Sequence, residues 1–141
     1  MIPLIIALLM VETVRPAPVT HQRPAQLAAQ AYGHDVDLLL AIAWKETRHR
    51  PWLVSATNDC GVMQVQTRGN AAYCAKLAGL AYGYSEGARV LRAWVDVKGN
   101  LVDGLGAYAC GGRISKRCRI WAMLVTNAWL QYKVALLSRK V

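Results

Sequence analysis

Apolar residues in this chain fall at helical spacing or in short unbroken runs, and nowhere in the alternation that marks a half-buried strand. The densest run, Leu38-Leu39-Leu40-Ala41-Ile42-Ala43-Trp44, is followed directly by Lys45 and Glu46. Asp35 or Asp37 is placed to cap a helix over this run, and Pro51 is expected to stop it at about Arg50. A preceding helix is expected from Pro24 to Tyr32, with proline at its start and Gly33 just past its end. Residues 51–70 hold Pro51, Ser55, Thr57-Asn58-Asp59, Gly61 and Gly69, turn formers that predict irregular structure. Two helices follow, Ala71–Ala81 and Ser85–Val97, the second with Ala88, Leu91 and Val95 on one face. After a turn at Lys98-Gly99-Asn100, a short helix covers Leu101–Ala109 and ends before Gly111-Gly112. The last helix is expected over Lys116–Ser138, with Ile120, Leu124, Ala128 and Gln131 as its stripe. No internal repeat appears. The pattern predicts a mainly α chain.

Ahead of these elements, Ile2 to Val11 is a run of apolar residues too short to span a bilayer but long enough for the core of an export signal or short anchor. A basic stretch before it is missing, and Glu12 follows at once, so an apolar terminal helix docked on the domain is the rival reading. Membrane association, if any, is expected through residues 2–11. Residues 15–24 carry three prolines and no periodicity and read as an extended linker. The expected division is an apolar segment over 1–14, a linker over 15–24 and one domain over 25–141, long enough to bury a core.

Composition narrows the chemistry. With no Phe, the bulk of the core falls to Leu, Trp and Tyr. The 17 Lys and Arg against 8 Asp and Glu leave a net charge of +9, which suits anionic partners such as nucleic acid, an anionic membrane or an acidic wall polymer. No Lys/Arg run exceeds two residues and no nucleic-acid motif is present, so no specific nucleic-acid partner is expected. Cys60, Cys74, Cys110 and Cys118 contain no C-x-x-C pair, which disfavours zinc. The simplest pairing joins neighbours, Cys60–Cys74 and Cys110–Cys118, although four cysteines allow three connectivities. His21, His34 and His49 show no metal spacing and are expected at the surface. No metal or cofactor is implied.

The candidate chemistry lies at Glu46. On a helix it shares a face with Leu39, Ile42 and Ala43, so its carboxyl points where the apolar side chains point. Burial disfavours the charged form, and a carboxylic acid still protonated near neutral pH can cleave a glycosidic bond. The competing reading pairs Glu46 with Arg50, four residues on, as an ionised structural bridge.

The residues downstream are what favour the first reading. Glu46 is followed by Pro51, Ser55, Gly61, Met63 and Gln64, and a second motif reads Ala107-Tyr108-Ala109-Cys110-Gly111. In order and spacing this resembles the lytic transglycosylase domain of the soluble type (SLT, goose-lysozyme-like), over roughly residues 25–132. Thr47 stands where that family has Ser, and Ala109 where it has Asn. The resemblance implies a lysozyme-like single domain with a cleft between helices. It also implies cleavage of the MurNAc-β-1,4-GlcNAc bond of peptidoglycan with formation of a 1,6-anhydro sugar.

On that resemblance Glu46 is the catalytic acid and base. Gly61 lets the backbone approach the sugar, and Met63 and Gln64 line the cleft, with core packing as the rival role of Met63. Tyr108 holds Glu46 through its hydroxyl, and Ser55 bonds substrate or caps a turn. Trp52 and Tyr73 are candidates for sugar stacking. Asp59 is the one carboxylate placed to make the site a hydrolytic muramidase, its rival role being a turn residue. The partners implied are peptidoglycan strands and an envelope-spanning or virion complex, in the periplasm or cell envelope. A non-catalytic envelope or virion component is the alternative from another class.

Overall fold

The computed structural model describes residues 12–139; the apolar segment 2–11 lies outside them. Six helices and one minimal hairpin follow in order: α1 (Val19–Tyr32), α2 (Val36–Thr47), β1 (Asp59–Cys60), β2 (Val65–Gln66), α3 (Ala71–Leu77), α4 (Leu80–Lys98), α5 (Leu101–Cys110) and α6 (Lys116–Arg139). The chain is mainly α, as its periodicity predicts.

The run at 38–44 is the centre of the structure. Every residue from Leu38 to Trp44 is buried, so α2 is enclosed on all sides, as expected of a helix apolar around its whole circumference. Full burial of Leu39 and Ile42 stabilises the fold by about 1.5–3 kcal/mol each. Asp35 is the N-cap, its carboxylate accepting from Asp37 N. The helix closes at Thr47 rather than at Arg50, because Arg48 and His49 both turn left-handed and the His49 amide reaches back to Ala43 O (3.3 Å). The stop is therefore set by a C-cap motif ahead of Pro51.

Around α2, helix α1 packs on α2 and α4, α4 on α5, and α6 on α2 and α5. Helix α1 begins at Val19, with Pro24 inside it, where the sequence predicts a start at Pro24. The extra turn is held by tertiary contact: buried His21 places Nδ1 2.8 Å from the Tyr84 hydroxyl of α4. Residues 12–18 form no free linker but a strap on α6. Val14 N donates to Gln131 Oε1 (3.0 Å), Gln131 Nε2 to Glu12 O (2.8 Å) and the Tyr132 hydroxyl to Arg15 O (2.7 Å).

The histidines depart from the surface expectation. His21 and His49 are buried with their rings 5.5 Å apart, and His34 Nε2 meets Ala88 O at 2.9 Å. On α6 the core face is Cys118, Ala122, Val125, Ala128 and Tyr132, whereas Ile120 and Leu124 are exposed. The predicted stripe was displaced because this helix is apolar on two faces, and periodicity alone cannot rank them. Both neighbouring cysteine pairs are bonded: Cys60–Cys74 ties β1 to α3, and Cys110–Cys118 ties the end of α5 to the start of α6.

Candidate active site

Glu46 stands in the last turn of α2 and keeps partial access to solvent. Its carboxyl is nonetheless largely enclosed by protein. Burial pushes its pKa up to about 7, helped by the charge of Asp59 and opposed by a hydrogen bond from Trp121 and the charge of Lys45. Arg50 does not pair with it. The Arg50 side chain is turned onto Thr47 O (Nε, 2.9 Å), and no described salt bridge contains Glu46. Arg48 is likewise occupied, lying over the Trp44 ring at 4.6 Å and bonding Glu12. The carboxyl is thus left without a salt-bridge partner, and Lys45 acts on it only through its charge.

The loop opposite is the turn of the β1–β2 hairpin, in which Cys60 pairs with Val65. Its position is set by buried contacts. Gly61 has φ +83°, and a β-carbon there would stand 2.5 Å from Leu77 O, so only glycine fits. Its close approach is to the end of α3, inside the protein, rather than to an open cleft. Met63 is fully buried and packs on Gly87 of α4, where a β-carbon would collide with its sulfur. Met63 is therefore core, and what it offers outward is its carbonyl. Thr47 Oγ1 lies 3.0 Å from Ala43 O and 2.9 Å from Val62 O, so the hydroxyl next to Glu46 joins α2 to this loop.

Gln64 sits with φ +52°, and its Nε2 donates to Leu53 O and Gly61 O, both at 3.0 Å. Its donor capacity is used by the loop, and Oε1 is the atom left to meet a ligand. Ser55 Oγ accepts from Thr57 N (3.2 Å) and Asp59 N (3.0 Å). Asp59 in turn accepts from Ser55 Oγ (3.1 Å) and Thr57 Oγ1 (2.8 Å). These residues build a turn, as the bland readings of Ser55 and Asp59 have it, although the Asp59 charge reaches Glu46.

Tyr108 corrects one expectation. Its hydroxyl donates to Met63 O (2.6 Å), not to Glu46. Burial, with the charges of Glu46 and Asp59 nearby, pushes its pKa far up, so it stays neutral. The group that opposes the rise of Glu46 as a donor is Trp121 of α6, whose ring stacks on Tyr108 with centroids 6.0 Å apart. No motif pointed to Trp121. The Cys110–Cys118 bridge brackets the turn between α5 and α6, the helices that carry this pair. Trp52 is exposed (66%), and Tyr73 gives its hydroxyl to Glu86 (2.8 Å), which leaves Trp52 the freer of the two stacking candidates. Among the described residues no group of three His, Cys, Asp or Glu could hold a metal ion.

A half-enclosed carboxyl that is protonated near neutral pH, facing a loop fixed by internal hydrogen bonds, can donate a proton to a bound oxygen and take one back. A family model described as the transglycosylase SLT domain matches residues 23–119. The chain belongs to that family. Trp121 lies just beyond the matched span. No curated protein matches the chain.

Proposed function

We propose that this protein is a peptidoglycan lytic transglycosylase in which Glu46 serves as acid and then as base. Family membership supports peptidoglycan as the substrate class. The observation that carries the mechanism is the enclosed Glu46 carboxyl, in no described salt bridge and with a pKa of about 7. Protonated Glu46 delivers its proton to the glycosidic oxygen as the bond from MurNAc C1 breaks, which releases the GlcNAc hydroxyl. The carboxylate formed then takes the proton of the MurNAc 6-hydroxyl as that oxygen bonds to C1. The product is a 1,6-anhydro sugar, no water is consumed, and Glu46 ends as it began. Gln64 Oε1, the ring of Tyr108 and the Trp52 face are the groups offered to the glycan.

The second reading, a hydrolytic muramidase, rests on Asp59, whose charge reaches Glu46. Its carboxylate is held by Ser55 and Thr57, which favours the one-carboxyl mechanism. The reading places the protein's work in the periplasm or cell envelope, where a phage, secretion or conjugation machine must pass the wall.

Digestion of purified peptidoglycan by the wild type and Glu46→Gln, read by mass spectrometry, tests this. Muropeptides lighter by one water than reducing-end products, released by the wild type alone, are expected. Reducing ends would move the assignment to Asp59-assisted hydrolysis. No release by a folded wild-type protein would favour a binding component.

A further inference from the structure

Helix α6 is apolar on two opposite faces, and among the described residues only one of them is covered. Its core face, Cys118 to Tyr132, packs on α2 and α5. On the far side Ile120, Met123, Leu130 and Leu137 recur at spacings of three and seven residues, which aligns them in one stripe. They are 47%, 70%, 57% and 63% exposed. Scattered exposed apolar residues need no explanation, but a continuous stripe does.

We propose that this outer face of α6 docks on an anionic lipid surface. Charge selects the partner. Residues 116–139 contain no Asp or Glu; Lys133 is bridged to Asp35 and Asp37 and Arg119 lies 3.8 Å from Asp103, while Lys116, Arg117 and Arg119 all stand exposed at the N-terminal end of the stripe. A second copy laid on the stripe in either orientation would bring together two chains of net charge +9, whereas anionic headgroups neutralise that charge. An apolar stripe flanked by cations is the pattern of a helix lying in the membrane interface. Among the described residues no helix is long and apolar enough to cross a membrane, so α6 lies on the bilayer rather than through it.

The route of the chain agrees. The apolar run 2–11 joins the described fold at Glu12, whose carbonyl is bonded to Gln131 of this same helix. Trp121 is on the opposite side of α6 from the stripe, so docking leaves Glu46 facing away from the lipid.

The test is co-sedimentation of the full chain with vesicles of phosphatidylglycerol and phosphatidylcholine, and with phosphatidylcholine alone. The wild type is expected on the anionic vesicles only. Met123→Glu/Leu130→Glu, checked for folding by circular dichroism, is expected to lose about tenfold or more of that partition. Lys116→Gln/Arg119→Gln is expected to lose about fivefold per charge. Undiminished binding by Met123→Glu/Leu130→Glu would overturn the proposal and leave residues 2–11 as the anchor. Equal binding to neutral vesicles, or none to either, overturns it too. So does a dimer in light scattering that Met123→Glu/Leu130→Glu splits, which assigns the face to a second copy.

Discussion

Two places in this small protein bury ionisable side chains, and they lie only three residues apart in sequence. At Glu46 a carboxyl is enclosed, with the Trp121 donor beside it and an open edge. At His49 an imidazole is sealed, with Nε2 3.2 Å from Leu40 O and 3.4 Å from the Tyr132 hydroxyl, beside the His21–Tyr84 pair. Burial drives both groups toward neutrality, which raises Glu46 to about 7 and lowers His49 to about 4. The difference is access. The carboxyl can meet a substrate, so its retained proton is chemically useful. The histidine meets only protein, so its neutrality serves packing of α1, α2, α4 and α6.

The sharpest break of the comparison is Glu46→Gln. Peptidoglycan cleavage is expected to fall about 10³-fold or more, while the fold persists. Its stability carries a second signature. The folded pKa of Glu46 lies above its ordinary 4.5, so its contribution is present below pH 4.5 and is lost as pH rises toward 7. Thermal melting across pH is therefore expected to show Glu46→Gln more stable than the wild type at pH 7, by up to about 3 kcal/mol, with the gap closing near pH 4. A variant less stable than the wild type at pH 7 would place Glu46 in the structural class with His49.

His49→Ala probes the other side. It removes a buried ring and its bond to Leu40 O, at a cost of about 2–4 kcal/mol in denaturant unfolding, with turnover per folded molecule retained. The wild-type histidine has the opposite pH slope to Glu46. Its folded pKa is depressed, so its contribution is whole above pH 6.5 and is lost as pH falls toward 4. The melting temperature of His49→Ala is thus expected to fall less than that of the wild type on acidification.

Trp121→Phe removes the donor that favours the Glu46 anion. The activity profile is expected to move to higher pH, with a loss of about ten- to hundredfold in rate. A lower rate with an unmoved profile would reduce Trp121 to packing on Tyr108. Arg50→Ala has the smallest expected effect. Because Arg50 bonds Thr47 O, its loss should change stability by no more than about 1 kcal/mol and leave the pH profile in place. A raised profile would restore the ion pair that the structure rejects.

Much of this was legible in the chain. The apolar run ending at Glu46, the Asp35 cap, the turn residues of 51–70 and the neighbouring cysteine pairs all stand where local chemistry puts them. Between cleft lining and core the motif leaves Met63 open, and the fold makes it core, while Tyr108, expected beside Glu46, bonds Met63 O instead. Both are contacts between residues far apart in sequence, which no motif spacing encodes. The start of α1 was missed for the same reason, since its first turn is held by Tyr84.

The sequence by itself determined the helical class and the family and singled out Glu46 as the candidate acid, because periodicity, turn propensity and the spacing after Glu46 are local properties. Only the tertiary structure decided that Glu46 escapes Arg50, that Trp121 reaches it, and which face of α6 is covered. Those outcomes depend on which groups the fold brings together and withdraws from water. Desolvation is a property of the assembled protein and not of any segment of it.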